Sequence, residues 1–406
     1  MSGAIETQAP NDFYFNPWDE NFRANPYPHY RALLAGPPRI LEVGFKFALV
    51  ARHADVRAVL MDHATFSSVQ PEGFAFDLQA KACGDAPSML GSDPPTQTRL
   101  RRLVARDFTP RRIRELEPRI REIAKSLIDG AERKGEFEVI ADLATPLPVM
   151  VISELLGVPP EEYRQFKYWS DKIVEALNLL PGMPIPEDIS IAFTELKEYF
   201  TQEIVRCREN PGPDLVSALV AAHDEAEALN AGELLQFLML LLMAGNETTT
   251  NLIGNGMLAL GRHPDSMAAL RARPELMRSA IEEMLRYDGP VQATFRTAKK
   301  DTAVGGTPIA AGTGAFAIVA AANRDPAQFK DPDEFDITRE PNEHVAFGEG
   351  IHFCIGAPLA RLEGSIAIGT ALERFPHLRL KDPDAPPTYK GSYFLRGLSR
   401  LDMAFK

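Results

Sequence analysis

A ten-residue loop near the C-terminus constrains this chain more than any other stretch. Residues Phe347 to Gly356 read F-G-E-G-I-H-F-C-I-G, and the pattern from Leu359 to Phe375 has the apolar spacing of an amphipathic helix. Pro358 suits the first turn of that helix, because the missing N–H of a proline would have no partner there. Cys354 therefore lies just upstream of a helix N-terminus, where backbone N–H groups and the helix dipole stabilise a thiolate.

An isolated cysteine is usually a small buried hydrophobic residue, but the spacing around Cys354 favours a ligand. The pattern Phe-Gly-x-Gly-x-His-x-Cys-x-Gly resembles the haem-binding loop of the haem-thiolate monooxygenases, the cytochrome P450 family. The matching positions are Phe347, Gly348, Gly350, His352, Cys354 and Gly356. The resemblance implies haem b as the cofactor and Cys354 as its axial iron ligand, because a thiolate ligand favours O–O bond cleavage.

A second motif lies inside the longest helical pattern, which runs from Gly232 to Gly261. The sequence A-G-N-E-T-T at positions 244–249 contains weak helix formers, which predicts a local distortion of the helix. The block resembles the oxygen-activation motif of the family. By that resemblance Thr248 is the alcohol that holds a water molecule, Glu247 is the acid that connects it to solvent, and Ala244 and Gly245 leave room for oxygen and substrate.

A third motif is Glu283-x-x-Arg286, whose two ends share one face of a predicted helix. Taken alone, such a pair is usually an exposed ion pair. In a chain that also carries the cysteine loop, it resembles the buried Glu-x-x-Arg pair that stabilises the core beside the haem. Arg339 matches the third member of that cluster.

Four further positions are implied as haem contacts by the same resemblance. Arg101, Arg296 and His352 match positions that bind the haem propionates. Gln97 stands where many bacterial members have a histidine, so it keeps a donor but not a charge.

A basic segment from Arg99 to Arg121 contains nine arginines against three acidic residues in an otherwise acidic chain. The pattern fits either a solvated helical face or a partner site. The resemblance implies that an acidic ferredoxin docks near Arg99, Arg102 and Arg106, with association that weakens in salt.

The substrate pocket is expected to be lipophilic, because most of its candidate residues are apolar. The segment from Ser67 to Leu90 lacks sustained periodicity and corresponds by resemblance to the variable loop over the pocket. Ordinary core packing explains each single candidate equally well. The candidates are Phe74, Phe76, Leu177, Ala244, Val291, Ala293, Thr294 and Phe394.

Composition excludes several classes of function. The net charge of −12 argues against nucleic acid as a partner. Three widely separated cysteines form neither a disulfide framework nor a zinc pattern, which fits a reducing compartment. The first ten residues do not resemble a signal peptide, and no apolar stretch reaches the ~20 residues that span a membrane. We therefore expect a cytoplasmic monomer that is not bound to a membrane.

The expected fold is mainly α with a small β-rich region (α+β), namely the cytochrome P450 fold, in a single domain over residues 1–406 without a fused reductase. Two short strands are predicted between Arg39 and Val50. A helix is predicted over His53–Met61. Three more are predicted at 137–156, 161–180 and 187–208.

The resemblance implies a monooxygenase that inserts one atom of dioxygen into a terpenoid, steroid, fatty acid or polyketide. Ferredoxin and an NAD(P)H-dependent ferredoxin reductase would supply the electrons. One alternative is a peroxygenase that uses hydrogen peroxide, although such members typically lack the acid–alcohol pair formed here by Glu247 and Thr248. The other alternative is a non-catalytic haem protein that binds a small ligand.

Overall fold

The computed structural model describes most of the chain. The described residues are 15–17, 19–43, 45–70, 75–106, 108–179, 183–212, 214–223 and 229–406. Within them, no helix combines the length and the apolar character needed to cross a bilayer.

Helices make up most of the described structure. They are α1 (Glu20–Ala24), α2 (Tyr27–Leu34), α3 (His53–Met61), α4 (Ala75–Ala82), α5 (Thr96–Val104), α6 (Pro110–Glu115), α7 (Glu117–Lys134), α8 (Pro146–Leu155), α9 (Tyr163–Ala176), α10 (Glu187–Glu209), α11 (Leu215–His223), α12 (Ala231–Arg262), α13 (Pro264–Ala272), α14 (Met277–Tyr287), α15 (Val319–Ala322) and α16 (Ala357–Arg374).

The strands form two small sheets and a hairpin. They are β1 (Arg39–Val43), β2 (Phe45–Val50), β3 (Phe66–Ser67), β4 (Phe137–Glu138), β5 (Thr294–Ala298), β6 (Thr302–Val304), β7 (Thr307–Ile309), β8 (Gly314–Ala317), β9 (Arg379–Leu380) and β10 (Asp402–Ala404). The larger sheet has the order β1-β2-β8-β5-β3, with β2 and β8 parallel. The smaller sheet has the order β4-β10-β9, and β6 pairs with β7.

The central element is α12, a 32-residue helix that packs against α8, α9, α10, α14 and α16. Its N-terminus is fixed by a capping box, in which Asn230 and Glu233 each satisfy a backbone N–H of the other. Apart from the exposed Ala231 and Ala244, its apolar side chains are buried, as expected for a helix surrounded by others. The helix ends where Pro264 begins α13.

The predicted fold class is confirmed, and so are the helix over His53–Met61 and the β1–β2 hairpin. The predicted distortion is absent, because α12 is continuously α-helical through residues 244–249. The helix predicted over 161–180 is shorter, since a 3₁₀ turn, Pro160–Glu162, precedes α9.

Two further segments differ from the sequence expectation. The single helix predicted over 137–156 is strand β4, then a π-helical turn at Ile140–Ala144, then α8, because Phe137 pairs with Met403 and Pro146 begins a new helix. The segment 67–90, predicted to lack periodic structure, contains α4.

Candidate active site

The cysteine loop turns tightly ahead of α16. Gly348 and Gly350 have φ of +71° and +67°, a region that other residues rarely adopt. A Cβ at Gly350 would lie 3.1 Å from the carbonyl oxygen of Leu60, so the loop also passes close to α3. The backbone N–H of Cys354 donates to the carbonyl oxygen of Phe347 at 2.9 Å. These contacts fix the thiol at the first turn of α16.

The surroundings of Cys354 shift the pKa of its thiol in two opposite directions. Burial raises the pKa of the thiol, whereas the backbone N–H groups of Gly356 and Ala357 and the guanidinium groups of Arg101 and Arg361 act to lower it. A thiol that is buried yet surrounded by donors and cations is suited to bind a metal ion, since the metal replaces the proton. Among the described residues, no group of three His, Cys, Asp or Glu could hold a metal. An iron at Cys354 must therefore bring its other ligands with it, as a porphyrin does.

Three basic side chains lie near one another beside this loop. Arg296 is buried and donates only to the carbonyl of Phe295 and the hydroxyl of Thr294, at 2.7 and 3.4 Å. Burial lowers the pKa of Arg296 to about 10. Burial, with the nearby charges of Arg296 and Arg101, lowers the pKa of His352 to about 4.

Within the described part of the chain, neither Arg101 nor Arg296 has a carboxylate within ion-pairing distance. Buried cations without an anion are costly, so this cluster fits a ligand that carries carboxylates. The two propionates of a haem have that chemistry, and the residues present therefore fit the group.

Gln97, which the resemblance predicts as a haem contact, has a partner in the cysteine loop itself. Its side chain is buried and donates its amide to the carbonyl oxygen of Ile351 at 2.7 Å. It therefore supports the cysteine loop through the backbone of Ile351. His352 contacts the hydroxyl of Ser68 at 2.9 Å, which ties the loop to the end of β3.

The predicted acid–alcohol motif lies in the middle of α12. Ala244 is exposed although Met243 and Asn246 beside it are buried, so the helix faces an open space at this point. The hydroxyl of Thr248 donates to the carbonyl oxygen of Ala244 at 2.7 Å and is half-buried. This bond satisfies the hydroxyl, and α12 stays α-helical through residues 244–249.

The carboxylate of Glu247 has a partner that the sequence did not indicate. Its Oε1 accepts from Nζ of Lys390 at 2.6 Å, and the Glu247 side chain is only 5% exposed against 31% for Lys390. Lys390 follows Glu247 by 143 residues, so only tertiary structure reveals the pair.

The Glu283–Arg286 pair is completely buried, which excludes the surface interpretation. Arg286 donates twice to Glu283, at 2.7 and 2.8 Å, and three more times to backbone carbonyls. Nε of Arg339 lies 3.2 Å from the Glu283 carboxylate, as the motif predicted. Asn342, which the sequence analysis missed, donates to the same carboxylate at 3.2 Å.

The predicted pocket residues occupy varied positions. Val291, Thr294 and Phe394 are half-buried; Val291 forms a β-bridge with Leu395, and Phe394 stacks on Phe316. Leu177 is half-buried at the end of α9.

Ala293 is 3% exposed inside an aromatic cluster with Phe295, so it does not border an open space. Phe74 and the side chain of Phe76 lie outside the described residues.

Of the three arginines predicted to dock a partner, one has an internal role. Arg99 forms an ion pair with the buried Glu233, the capping residue of α12. Arg102 and Arg106 are exposed. The docking prediction thus applies to Arg102 and Arg106 more directly than to Arg99.

A mainly helical fold with a single cysteine as the candidate iron ligand defines the class of haem-thiolate proteins. Comparison with known proteins agrees. The cytochrome P450 family model matches residues 41–403. The chain is 43% identical to the cytochrome P450 monooxygenase PikC of Streptomyces venezuelae over 394 residues, which is 95% of this chain and 92% of the relative.

A second relative is the vitamin D(3) 25-hydroxylase of Pseudonocardia autotrophica, 42% identical over 387 residues and 94% of each chain. The solved structure of the Bacillus megaterium P450 CYP109E1 in complex with testosterone superimposes with a TM-score of 0.86, at 36% identity, and covers 96% of this chain and all of the other. The chain belongs to the cytochrome P450 family. It is a haem-thiolate monooxygenase, and its cofactor is a haem iron.

Proposed function

We propose that this enzyme inserts one oxygen atom from dioxygen into a lipophilic small molecule of steroid-like or polyketide-like size. The observation that carries the proposal is the exposed Ala244 in the middle of α12, a helix whose other apolar side chains near this point are buried. An opening that is lined by an alanine on an apolar helix admits a large apolar ligand.

The relatives support the same substrate class. One relative is named a vitamin D(3) 25-hydroxylase, and the solved structure of another is in complex with testosterone. The half-buried Val291 and Phe394 offer further apolar contact area of the kind that such ligands bury.

We assign each remaining site residue a role in holding the cofactor, haem b. Cys354 is the thiolate ligand, and Gly348, Gly350 and Gly356 give the loop its close approach. Arg101, Arg296 and His352 bind the propionates, because they are cations or donors without internal carboxylates. The haem supplies the redox chemistry that activates dioxygen.

The chain itself supplies proton control and exclusion of water. Thr248 presents a hydroxyl at the opening beside Ala244, and the hydroxyl holds a proton there. Glu247, one residue earlier, passes protons between that position and water on the side where its partner Lys390 lies. The apolar core around α12 excludes other water from the opening.

Electrons come, in this proposal, from an acidic ferredoxin and its NAD(P)H-dependent reductase. Arg102 and Arg106 are exposed cations on a protein of net charge −12, which is the charge pattern that an acidic partner recognises. A groove of about 680 Å³ lies between α7, α14 and α16, and its polar rim includes Arg121, Arg278 and Arg361. Arg121 and Arg361 are paired there with Glu117 and Glu282, so the groove carries both signs of charge.

Optical titration of the ferric holoprotein tests the substrate class. We expect secosteroids or macrolides to move the Soret band to its high-spin position at lower concentrations than short fatty acids do. Product formation with NADH, ferredoxin and reductase should follow the same order. If only short fatty acids move the Soret band, the proposed ligand size is wrong. If product forms with peroxide but not with NADH, ferredoxin and reductase, the proposed source of electrons is wrong.

Matched variants sharpen the titration. Ala244→Leu fills the opening and should weaken binding of large ligands at least about tenfold while the Soret band is kept. Ala268→Leu, at an exposed position of α13, should bind them as wild type does. Cys354→Ala should abolish the thiolate spectrum, and a retained thiolate spectrum would refute the ligand assignment.

A further inference from the structure

The Glu247–Lys390 pair joins the catalytic helix to the C-terminal segment. Glu247 is almost fully buried, and the structure gives its carboxylate one hydrogen-bond partner among the described residues, the ammonium group of Lys390. The Lys390 side chain is one-third exposed, so the pair runs from the protein interior toward solvent. A buried carboxylate depends on such a cation, because desolvation otherwise drives it to take up a proton.

The same face of α12 carries two more polar side chains, one and two helical turns beyond Glu247. Asn255 donates to the backbone carbonyls of Asp288 and Arg396, at 2.9 and 3.0 Å. Asn251 is 1% exposed, yet neither its amide nitrogen nor its oxygen has a partner among the residues that the structure describes. A Cβ at Gly397 would overlap Asn251, so the C-terminal segment lies directly against this face. Buried polar atoms without protein partners are typical binding positions for ordered water.

Lys390 also lines a small cavity. The cavity has a volume of about 10 Å³, which is room for one water molecule. Tyr30, Gln292 and Ser392 contribute polar atoms to its wall, and the half-exposed Arg23 places it at the protein surface. Lys390 thus borders a water-sized cavity and also contacts the carboxylate of Glu247.

We infer that Lys390 is a positioning residue for proton supply: its ammonium holds the buried carboxylate of Glu247 and links it to water at the C-terminal segment. The inference rests on the proposed role of Glu247. In each transfer the carboxylate accepts one proton from the water side, passes it toward Thr248 and returns to the ionised form. Lys390 keeps its own proton throughout, so the charge of the pair is restored after every transfer.

Four variants of the holoenzyme test this role. Lys390→Met removes the cation at nearly constant length, and Lys390→Arg retains it. The double variant Glu247→Gln/Lys390→Met lacks the Glu247 carboxyl group, so an infrared carboxyl band that it loses can be assigned to Glu247. Lys300→Met, at an exposed position, is the matched control. The readouts are product formed per NADH, product formed with hydrogen peroxide alone, and the infrared carbonyl band of a protonated carboxyl group at pH 7.

We expect Lys390→Met to lower product per NADH by about tenfold or more, as loss of acid–base assistance does. Peroxide-driven product should be unchanged, since peroxide brings its own protons. Lys390→Met should also show a protonated-carboxyl band that the double variant lacks. Lys390→Arg and Lys300→Met should match wild type in all three readouts.

Three results would overturn the inference: wild-type coupling in Lys390→Met, absence of the new carboxyl band, or Lys390→Arg as uncoupled as Lys390→Met. An equal loss of the peroxide-driven reaction would also overturn it, because the pocket itself would then be disturbed. If wild type gives no product with any electron donor, the proposed function fails instead. The infrared comparison of the single and double variants still tests the pair in that case.

Discussion

A buried carboxyl group on α16 gives the sharpest quantitative prediction. Glu363 is 2% exposed, and burial raises its pKa to about 8, although a hydrogen bond with Thr249 of α12 acts to lower it. The carboxyl group is therefore mainly protonated in the folded protein at pH 7. The unfolded chain, in contrast, ionises it at its ordinary pKa of 4.5.

The sign of the effect on stability follows from these two values. Below pH 4.5 both states hold the proton, and Glu363 costs no stability. Between pH 4.5 and about 8 only the unfolded state releases it, so the free energy of unfolding falls by about 1.4 kcal/mol per pH unit. At pH 7 the accumulated loss is about 3 kcal/mol, a large part of the 5–15 kcal/mol that typically stabilises a folded protein.

Glu363→Gln removes the ionisation and keeps the size and hydrogen-bonding capacity of the side chain. We expect the variant to be more stable than wild type by about 3 kcal/mol at pH 7 and indistinguishable from it near pH 4.5. Urea unfolding of the two holoproteins, measured at half-unit steps of pH, gives the difference directly. Glu373→Gln, an exposed change on the same helix, should show no such pH dependence.

A difference between Glu363→Gln and wild type that stays constant from pH 4.5 to 8 would refute the reasoning, because only ionisation in the unfolded state predicts a slope. A variant less stable than wild type at pH 7 would refute it as well. It would mean that the folded protein uses the charge.

Two other predictions concern the buried arginine and the alcohol. Arg286→Met leaves the Glu283 carboxylate without its main partner and should lower the free energy of unfolding by about 3–5 kcal/mol in urea titrations. A loss no larger than that of the exposed Arg111→Met would contradict the structural role. Thr248→Ala should lower product per NADH by about tenfold and release peroxide, whereas Thr248→Ser should retain coupling. Thr201→Ala, which removes the same type of bond to the carbonyl four residues back at 2.7 Å, is its control; equal coupling in Thr248→Ala would remove the hydroxyl from proton control.

Features set by short-range spacing could be predicted from the sequence. The glycines around Cys354 impose a turn before α16, and the three-residue spacing of Glu283 and Arg286 places both on one face of α14. The length of α12 followed from one uninterrupted apolar pattern closed by Pro264. Each of these depends on residues within one or two helical turns.

Features set by distant partners could not be predicted. The amide of Gln97 in α5 donates to the loop at Ile351, and Ala293 is enclosed in an aromatic cluster whose members come from distant parts of the chain. β4 forms where a helix was predicted, because it pairs with β10. That partner strand lies more than 260 residues later in the sequence, so local periodicity does not reveal it. Periodicity in the sequence indicates whether a segment is a helix or a strand, but it does not indicate which distant segment the element contacts.

Three buried carboxylates near the haem site are compensated in three ways, and the difference accounts for their separate roles. Glu283 has two guanidinium partners and accepts hydrogen bonds on both oxygens, so its side chain is held in a rigid cluster. Glu363 has no cation among the described residues and is held neutral by its proton. Glu247 is compensated to an intermediate degree: among the described residues its partner is the partly exposed ammonium group of Lys390. A group that must take up and release a proton in each cycle cannot be locked in either state. The single contact with Lys390 is therefore the arrangement that a relay acid requires.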